Sequence, residues 1–183
     1  MWPTEIYITD GDLDTVEIFA RCQRHQRQHS TVKLSNRGGY QGHNFTDPDV
    51  TGLITKNIPT LPGKSLPKFE VQAWININGF GHWNTLHNHS DEHVLISGIY
   101  YVRCPDNSGD LYFYDPRYLS TVGTYYRYYA DDTNGGGYIQ IAPQENKLLF
   151  FPPNLHHMVG PNLSQEERCS IAFNILVVPG QKI

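Results

Sequence analysis

The clearest pattern in the chain is a two-residue alternation that begins at residue 69. Phe69, Val71, Ala73, Ile75 and Ile77 alternate with Glu70, Gln72, Trp74, Asn76 and Asn78. That spacing predicts a strand with one apolar and one polar face. Gly79 and Gly81 end it. A second strand is predicted over 94–103, with Ser97, Ile99, Tyr101 and Arg103 on one side, and a third over 111–114, closed by Asp115-Pro116-Arg117. Two more follow at 138–142 and 147–151. A corner at Pro152-Pro153-Asn154 leads to Leu155-His156-His157-Met158-Val159, and a last strand covers 169–178. Between the third and fourth strands, residues 118–137 are Tyr-rich and then Gly-rich, which reads as an insertion or long loop over the sheet.

The first 68 residues follow different rules. A short strand is expected at 6–9. A helix capped by Asp10 or Asp12 would carry Leu13, Val16, Ile18, Phe19 and Cys22, with the polar run 21–29 as its exposed end. Three Gly and an Asn in 35–42 indicate turns with positive φ, and 45–68 reads as a loop with one helical turn near Ile54. Short strands, Gly/Pro turns and no strand–helix alternation favour a barrel or two-sheet jelly roll. No repeat, linker or second domain is visible. The expectation is one domain over 1–183, with helical support at 1–68 and a β core at 69–183.

Composition removes several alternatives. The net charge of -4 offers no basic footprint for nucleic acid. No apolar run is long enough for a membrane span, and the N-terminus lacks a signal-peptide pattern. Cys22, Cys104 and Cys169 are odd in number and lie outside any C-x-x-C pair, so they read as reduced and structural, in a cytoplasmic protein.

The candidate chemistry lies between the first two core strands. His87 and His89 are two apart, with Asp91, Glu92 and His93 close behind. In an extended chain, residues i and i+2 point to the same side, so His87 and His89 can reach one point and Asp91 could join them. Imidazole and carboxylate suit a first-row divalent metal. With nine His in the chain, one H-x-H says little without a distant partner. His157 is the candidate third ligand, just beyond the fifth strand. Arg168 then opens the last strand, with Ser170 on its face; a fixed guanidinium can grip a carboxylate through two parallel hydrogen bonds.

This order resembles the 2-oxoglutarate, Fe(II)-dependent dioxygenases, whose pattern is H-x-D/E…H…R, and within them the prolyl-hydroxylase-like branch. Ser97-Gly-Ile-Tyr-Tyr-Val102, Gly109-Asp-Leu-Tyr-Phe113 and Leu148-Leu-Phe-Phe151 are similar to that branch. A narrower resemblance is to a little-characterised group of bacterial and phage 2OG-Fe(II) oxygenases. It rests on 35–42, 84–89, 115–117, 151–162 and 168–174, and so covers most of the chain. The resemblance implies a mainly β fold, a double-stranded β-helix (jelly roll) with one or two flanking N-terminal helices. It implies Fe(II) and 2-oxoglutarate as cofactors. His87, His157 and Arg168 become the candidate catalytic residues. Arg168 would anchor the C5 carboxylate, with Tyr101 as its hydrogen-bond partner and Ser170, Asn76 and Asn174 around the same cavity. The implied reaction turns an unactivated C–H bond of a prolyl, other peptidyl or small-molecule substrate into C–OH. O₂ is consumed and succinate and CO₂ are released. No nucleic acid or membrane partner is implied; a homodimer is compatible.

The chain departs from the broad pattern at one place: His89 stands where a carboxylate is expected. Either the metal set is His87, His89 and His157, which the narrower group's H-x-H favours, or the register slides and His89 pairs with Asp91. A three-His site carries one less negative charge, which weakens Fe(II) binding and makes the bound metal more electrophilic. Five further histidines have ordinary readings. His82 and His93 lie beside the site or on the surface, His156 points away from it, and His25 and His29 share a solvated helix face. Two competing readings are a cupin-type metal protein that does not use 2-oxoglutarate and a jelly-roll binding module without metal. The cupin reading leaves Arg168 and Ser170 without a purpose.

Overall fold

In the computed structural model, residues 4–60, 63–114, 137–178 and 180 are described. Strand β1 (Tyr7–Asp10) leads into helix α1 (Thr15–Gln28). The helix is capped by Asp14, not by Asp10 or Asp12. Its carboxylate accepts from Val16 N at 3.0 Å and Glu17 N at 3.2 Å. The earlier aspartate is still committed to the sheet: Asp10 pairs with Lys147, and Gly11 N donates to Asn146 O. The buried side of α1 is Ile18 and Cys22, with Phe19 packed alongside. Val16, expected on that face, is 78% exposed, because two residues before Ile18 is the far side of a helix with 3.6 residues per turn.

Two short strands follow, β2 (Asn36–Arg37) and β3 (Tyr40–Gly42). Gly38 and Gly39 between them have φ of +72° and +69°. A Cβ on Gly39 would lie 2.7 Å from the carbonyl of Ile77, so this sharp passage between the sheets needs glycine. Helix α2 (Pro48–Asn57) replaces the single turn expected near Ile54. Asp47 caps it, accepting from Asp49 N and Val50 N at 3.1 Å each, and Pro48 occupies the first turn. Gly52 and the β-branched Val50, Thr51, Ile54 and Thr55 weaken its intrinsic propensity. Burial of Val50, Leu53 and Ile54 at helical spacing overrides that weakness. Arg21 of α1 ties the helices together, reaching Asp47 at 3.0 Å and Asp49 at 2.7 Å.

The β core consists of β4 (Phe69–Asn78), β5 (Trp83–His87), β6 (Val94–Arg103), β7 (Leu111–Tyr114), β8 (Tyr138–Ile141), β9 (Lys147–Phe151), β10 (His157–Val159) and β11 (Arg168–Val177). One sheet runs β1-β9-β6-β11-β4-β3 and the other β2-β5-β10-β7-β8, with antiparallel pairing throughout. This is the jelly roll with two flanking helices that the resemblance implied.

Two apolar layers hold it. Ala73, Ile75, Ile77, Tyr100, Ile171 and Phe173 face the helices. Trp74, Ile99, Leu149, Phe151, Leu111 and Phe113 fill the space between the sheets. The polar face expected on β4 is therefore buried too: Asn76 and Asn78 turn toward the second sheet. Arg103 leaves the side it was expected to share with Tyr101. Cys169 pairs with Arg103 and Ser170 with Tyr101, so β6 contributes an extra residue, and the Arg103 guanidinium sits 5.0 Å from the Phe19 ring centroid. The 115–117 turn and the Tyr-rich segment up to 136 lie outside the described residues. Among the described residues, no helix is long and apolar enough to cross a membrane.

Candidate functional site

Strands β5 and β10 pair antiparallel, and their register sets His157 opposite His87. The two ring centroids are 4.3 Å apart. His89 lies two residues past the end of β5, where its backbone N–H donates to Pro153 O at 2.8 Å. That bond folds the chain back toward the corner before β10. The His89 ring then stands 5.2 Å from His87 and 5.1 Å from His157. Each of these residues offers one ligand nitrogen, and the three atoms lie within 4.8 Å of one another. Among the described residues, no other His, Cys, Asp or Glu group does this.

The second nitrogen of each ring is already engaged. Nδ1 of His87 bonds Thr85 O at 2.7 Å, and Nδ1 of His157 bonds Leu155 O at 2.9 Å. Nδ1 of His89 bonds the Asn174 side-chain oxygen at 2.9 Å, an oxygen that also accepts the Ser97 hydroxyl at 2.8 Å. A carbonyl partner requires Nδ1 to carry the proton, which leaves Nε2 as the lone-pair nitrogen. Burial keeps the rings neutral. It pulls His157 down to about 3 and His89 to about 4, and lowers His87 as well. Three neutral imidazoles with fixed tautomers suit a divalent first-row metal.

Asp91 does not join them. It is exposed, and its carboxylate accepts from His93 N at 2.9 Å across a local turn. The i, i+2 alternation stops there, since Val94 N closes on Asp91 O at 3.1 Å. Five of the other histidines stay apart, and the sixth, His43, stacks on Trp74 with ring centroids 6.1 Å apart. His82 Nδ1 accepts from Gly79 N at 3.0 Å, His156 bonds Asn88 at 3.2 Å, and exposed His93 sits beside Glu92. His25 and His29 stack at 4.1 Å on their helix.

Arg168 begins β11 opposite Asn78 and is 2% exposed. Its Nη1 donates to Gly109 O at 3.2 Å, while Nε has no partner. Among the described residues no carboxylate pairs with it. Burial lowers its pKa from the usual value. A guanidinium remains charged in proteins, so this is a buried cation with spare donors, a costly arrangement unless an anion arrives.

Arg168 lines one pocket together with His87, His89, His157, Ser170 and Asn76. The Asn76 side-chain oxygen is buried without a partner. Two expected positions differ in detail. Tyr101 is Ser170's neighbour on β6 and feels the Arg168 charge, yet it is not part of the pocket wall; burial raises its hydroxyl pKa. Asn174 is not on the wall either: it holds His89 from behind. No sequence signal points to this last bond beyond the alternation that sets Ser170, Ala172 and Asn174 on one face. Trp74, which lines the pocket 5.3 Å from the His89 ring, was likewise not singled out.

A family model, 2OG-FeII_Oxy_5, described as "Putative 2OG-Fe(II) oxygenase", matches residues 72–174, more than half of the chain. The chain belongs to this family. No curated protein matches it in sequence. Solved structures share the fold of this oxygenase at low identity. A Pseudomonas putida prolyl-4-hydroxylase is 16% identical with a TM-score of 0.65, over 96% of this chain and 94% of that one. A prolyl hydroxylase from Trichoplax adhaerens, in complex with a hypoxia inducible factor peptide fragment, is 16% identical with a TM-score of 0.64, over 93% and 83%. The viral collagen prolyl hydroxylase of Paramecium Bursaria Chlorella virus-1, in complex with 2OG, is 12% identical with a TM-score of 0.57, over 94% and 96%.

Membership makes the chain an enzyme that uses Fe(II) and 2-oxoglutarate, which sets aside the cupin and metal-free readings. The residues fit both groups: three imidazoles converge on one point, and a buried guanidinium with no carboxylate partner among the described residues lines the same pocket.

Proposed function

We propose that this oxygenase hydroxylates an unactivated C–H bond of a prolyl, other peptidyl or small-molecule substrate. In this reading His87, His89 and His157 hold Fe(II) through Nε2. Arg168 takes the C5 carboxylate of 2-oxoglutarate, helped by the Ser170 hydroxyl, with Asn76 beside the cosubstrate and Tyr101 steadying the guanidinium. The observation that carries the reading is the buried Arg168, with free donors and no carboxylate partner among the described residues, sharing one pocket with the three imidazoles.

Each residue has a physical task. The Nδ1 bonds to Thr85, Leu155 and Asn174 hold the rings in orientation, so little entropy is lost when the metal arrives. Arg168 offers the charged donors that a planar carboxylate matches. Trp74, Ile99, Ala172 and Val159 make part of the wall apolar, which reduces the water around the charged groups and strengthens their interactions. Bound Fe(II), with 2-oxoglutarate and O₂, supplies the oxidising power that turns C–H into C–OH and leaves succinate and CO₂.

A peptidyl substrate is supported by the solved prolyl hydroxylase that holds a peptide fragment. The free thiols of Cys22, Cys104 and Cys169 support a reducing compartment such as the cytoplasm. We propose that 1–183 forms one domain.

The test is succinate production from 2-oxoglutarate with Fe(II) and ascorbate, together with mass spectrometry of proline-containing peptides for a gain of one oxygen. Wild type should form succinate, and His157→Ala and Arg168→Ala should not. Equal succinate from Arg168→Ala and wild type would remove the cosubstrate assignment, and equal succinate from His157→Ala would remove the metal assignment.

A further inference from the structure

Among the described residues, Arg168 is the only formally charged side chain on the pocket wall. The three imidazoles beside it bind a metal as neutral ligands, and Arg168 is 2% exposed. Among the described residues, no Asp or Glu lines the pocket. The nearby acids are occupied or solvated. Asp91 is exposed and closes its own turn, while Asp110, which feels Arg168, is hydrogen-bonded by Gln140 on the outer edge of the second sheet. The remaining polar groups on the wall, from Ser35, Asn76, Asn84 and Ser170, are neutral.

A divalent metal in this triad therefore adds two positive charges to a pocket that already holds one. At reduced dielectric this repulsion is far larger than in water. A metal set containing a carboxylate would offset one of those charges from within the protein. Here His89 fills that place, and Asn174, which orients it, is also neutral.

We infer that the 2-oxoglutarate dianion is the counterion of the metal site, so that metal and diacid bind as a mutually dependent pair and the free protein holds divalent metal weakly. This rests on the functional reading above and adds the order and coupling of binding. One end of the dianion meets the metal and the other meets Arg168, and the excess charge falls from three to one. Binding linkage is reciprocal: the factor by which the diacid tightens the metal is the factor by which the metal tightens the diacid. The consequence is a centre that retains its metal only when cosubstrate is present.

The test uses Mn(II), which is stable in air, and calorimetry on metal-free wild-type protein. Mn(II) is titrated alone, with saturating 2-oxoglutarate, and with saturating 2-oxobutyrate, which has the same chelating end and no distal carboxylate. The expected result is that 2-oxoglutarate tightens Mn(II) on the order of 100-fold, near the upper end of ordinary coupling, and 2-oxobutyrate much less. The reverse titration, 2-oxoglutarate with and without Mn(II), should give the same factor.

His89→Asp and His89→Glu place the missing charge in the site, with folding checked by circular dichroism. Both should bind Mn(II) alone more tightly than wild type and show a coupling about tenfold smaller, since 1.4 kcal/mol is one decade. If wild type binds Mn(II) equally well with and without 2-oxoglutarate, or if 2-oxobutyrate matches 2-oxoglutarate, the inference is overturned. A coupling unchanged in both acidic variants overturns it too. His87→Ala separates the two readings. Mn(II) binding that His87→Ala abolishes, but that 2-oxoglutarate does not tighten, sinks this inference alone. No Mn(II) binding under any condition sinks the functional reading with it.

Discussion

His89 and Asn174 are 85 residues apart in the chain, and their side chains meet at 2.9 Å, Nδ1 to amide oxygen. The same oxygen accepts from Ser97, so a residue beyond the end of β5 is held by two strands of the opposite sheet. Asn174→Ala should free the His89 ring to change tautomer and rotate. Metal affinity should fall by about 10- to 100-fold, as it does when such an outer partner is lost. Calorimetric titration with Mn(II) and 2-oxoglutarate checks this, and an unchanged affinity would show that the bond does not position the ring.

Arg168 should act oppositely on stability and on binding. Arg168→Met removes a buried charge that has no anionic partner among the described residues and replaces it with an apolar chain of similar length. The metal-free variant should melt at a temperature at least as high as wild type. Its affinity for 2-oxoglutarate should fall by about 2 kcal/mol or more, the loss expected when one side of a buried charged contact is removed. Arg168→Lys should recover little, since an ammonium lacks the planar fork. Differential scanning fluorimetry with and without 2-oxoglutarate reads both effects. A lowered melting temperature for metal-free Arg168→Met would mean that the guanidinium stabilises the empty fold.

The imidazole pair His89 and His157 should make the metal-free protein sensitive to acid. Their ordinary value is 6.5, and burial holds them at about 4 and about 3. Between those limits the unfolded chain binds protons that the folded chain refuses, so stability rises with pH there. The urea midpoint should fall steadily as pH drops from about 7 toward about 4, and His157→Gln should flatten the slope. An equally steep slope in that variant would assign the acid sensitivity to other groups.

Gly98 in β6 sits where the six-stranded sheet leaves no room for a side chain. A Cβ there would lie 2.2 Å from the Phe173 ring and 2.4 Å from the Leu149 carbonyl. The ring could turn, but the carbonyl belongs to the β6–β9 ladder. Gly98→Ala should destabilise the fold by roughly 1–3 kcal/mol, the usual cost of overpacking. Urea unfolding measures it, and a loss below about half a kcal/mol would show that β6 and β9 separate easily.

Much of this molecule could be read from local order. Strand 69–78 follows from a two-residue alternation, and 94–103, 111–114 and 147–151 from short runs of β-forming residues bounded by turns; these need only neighbouring side chains, and the structure keeps those bounds. The H-x-H at His87 and the Arg168-x-Ser170 pair are equally local, and their residue types announced metal and carboxylate chemistry. The helices were less legible. Asp14 and Asp47 are good caps, but so are other aspartates nearby, and only packing chose among them.

What the sequence determined alone was therefore the strand pattern and the kinds of chemistry available. The tertiary structure decided which residues meet. Pairing of β5 with β10 sets His157 opposite His87 across seventy residues (157 − 87), the turn at Asp91 withdraws the carboxylate that would have competed with His89, and Asn174 comes to His89 rather than to the pocket wall. Local spacing reaches two to four residues, whereas these contacts are set by register between distant strands, which is fixed only when both apolar layers are buried at once.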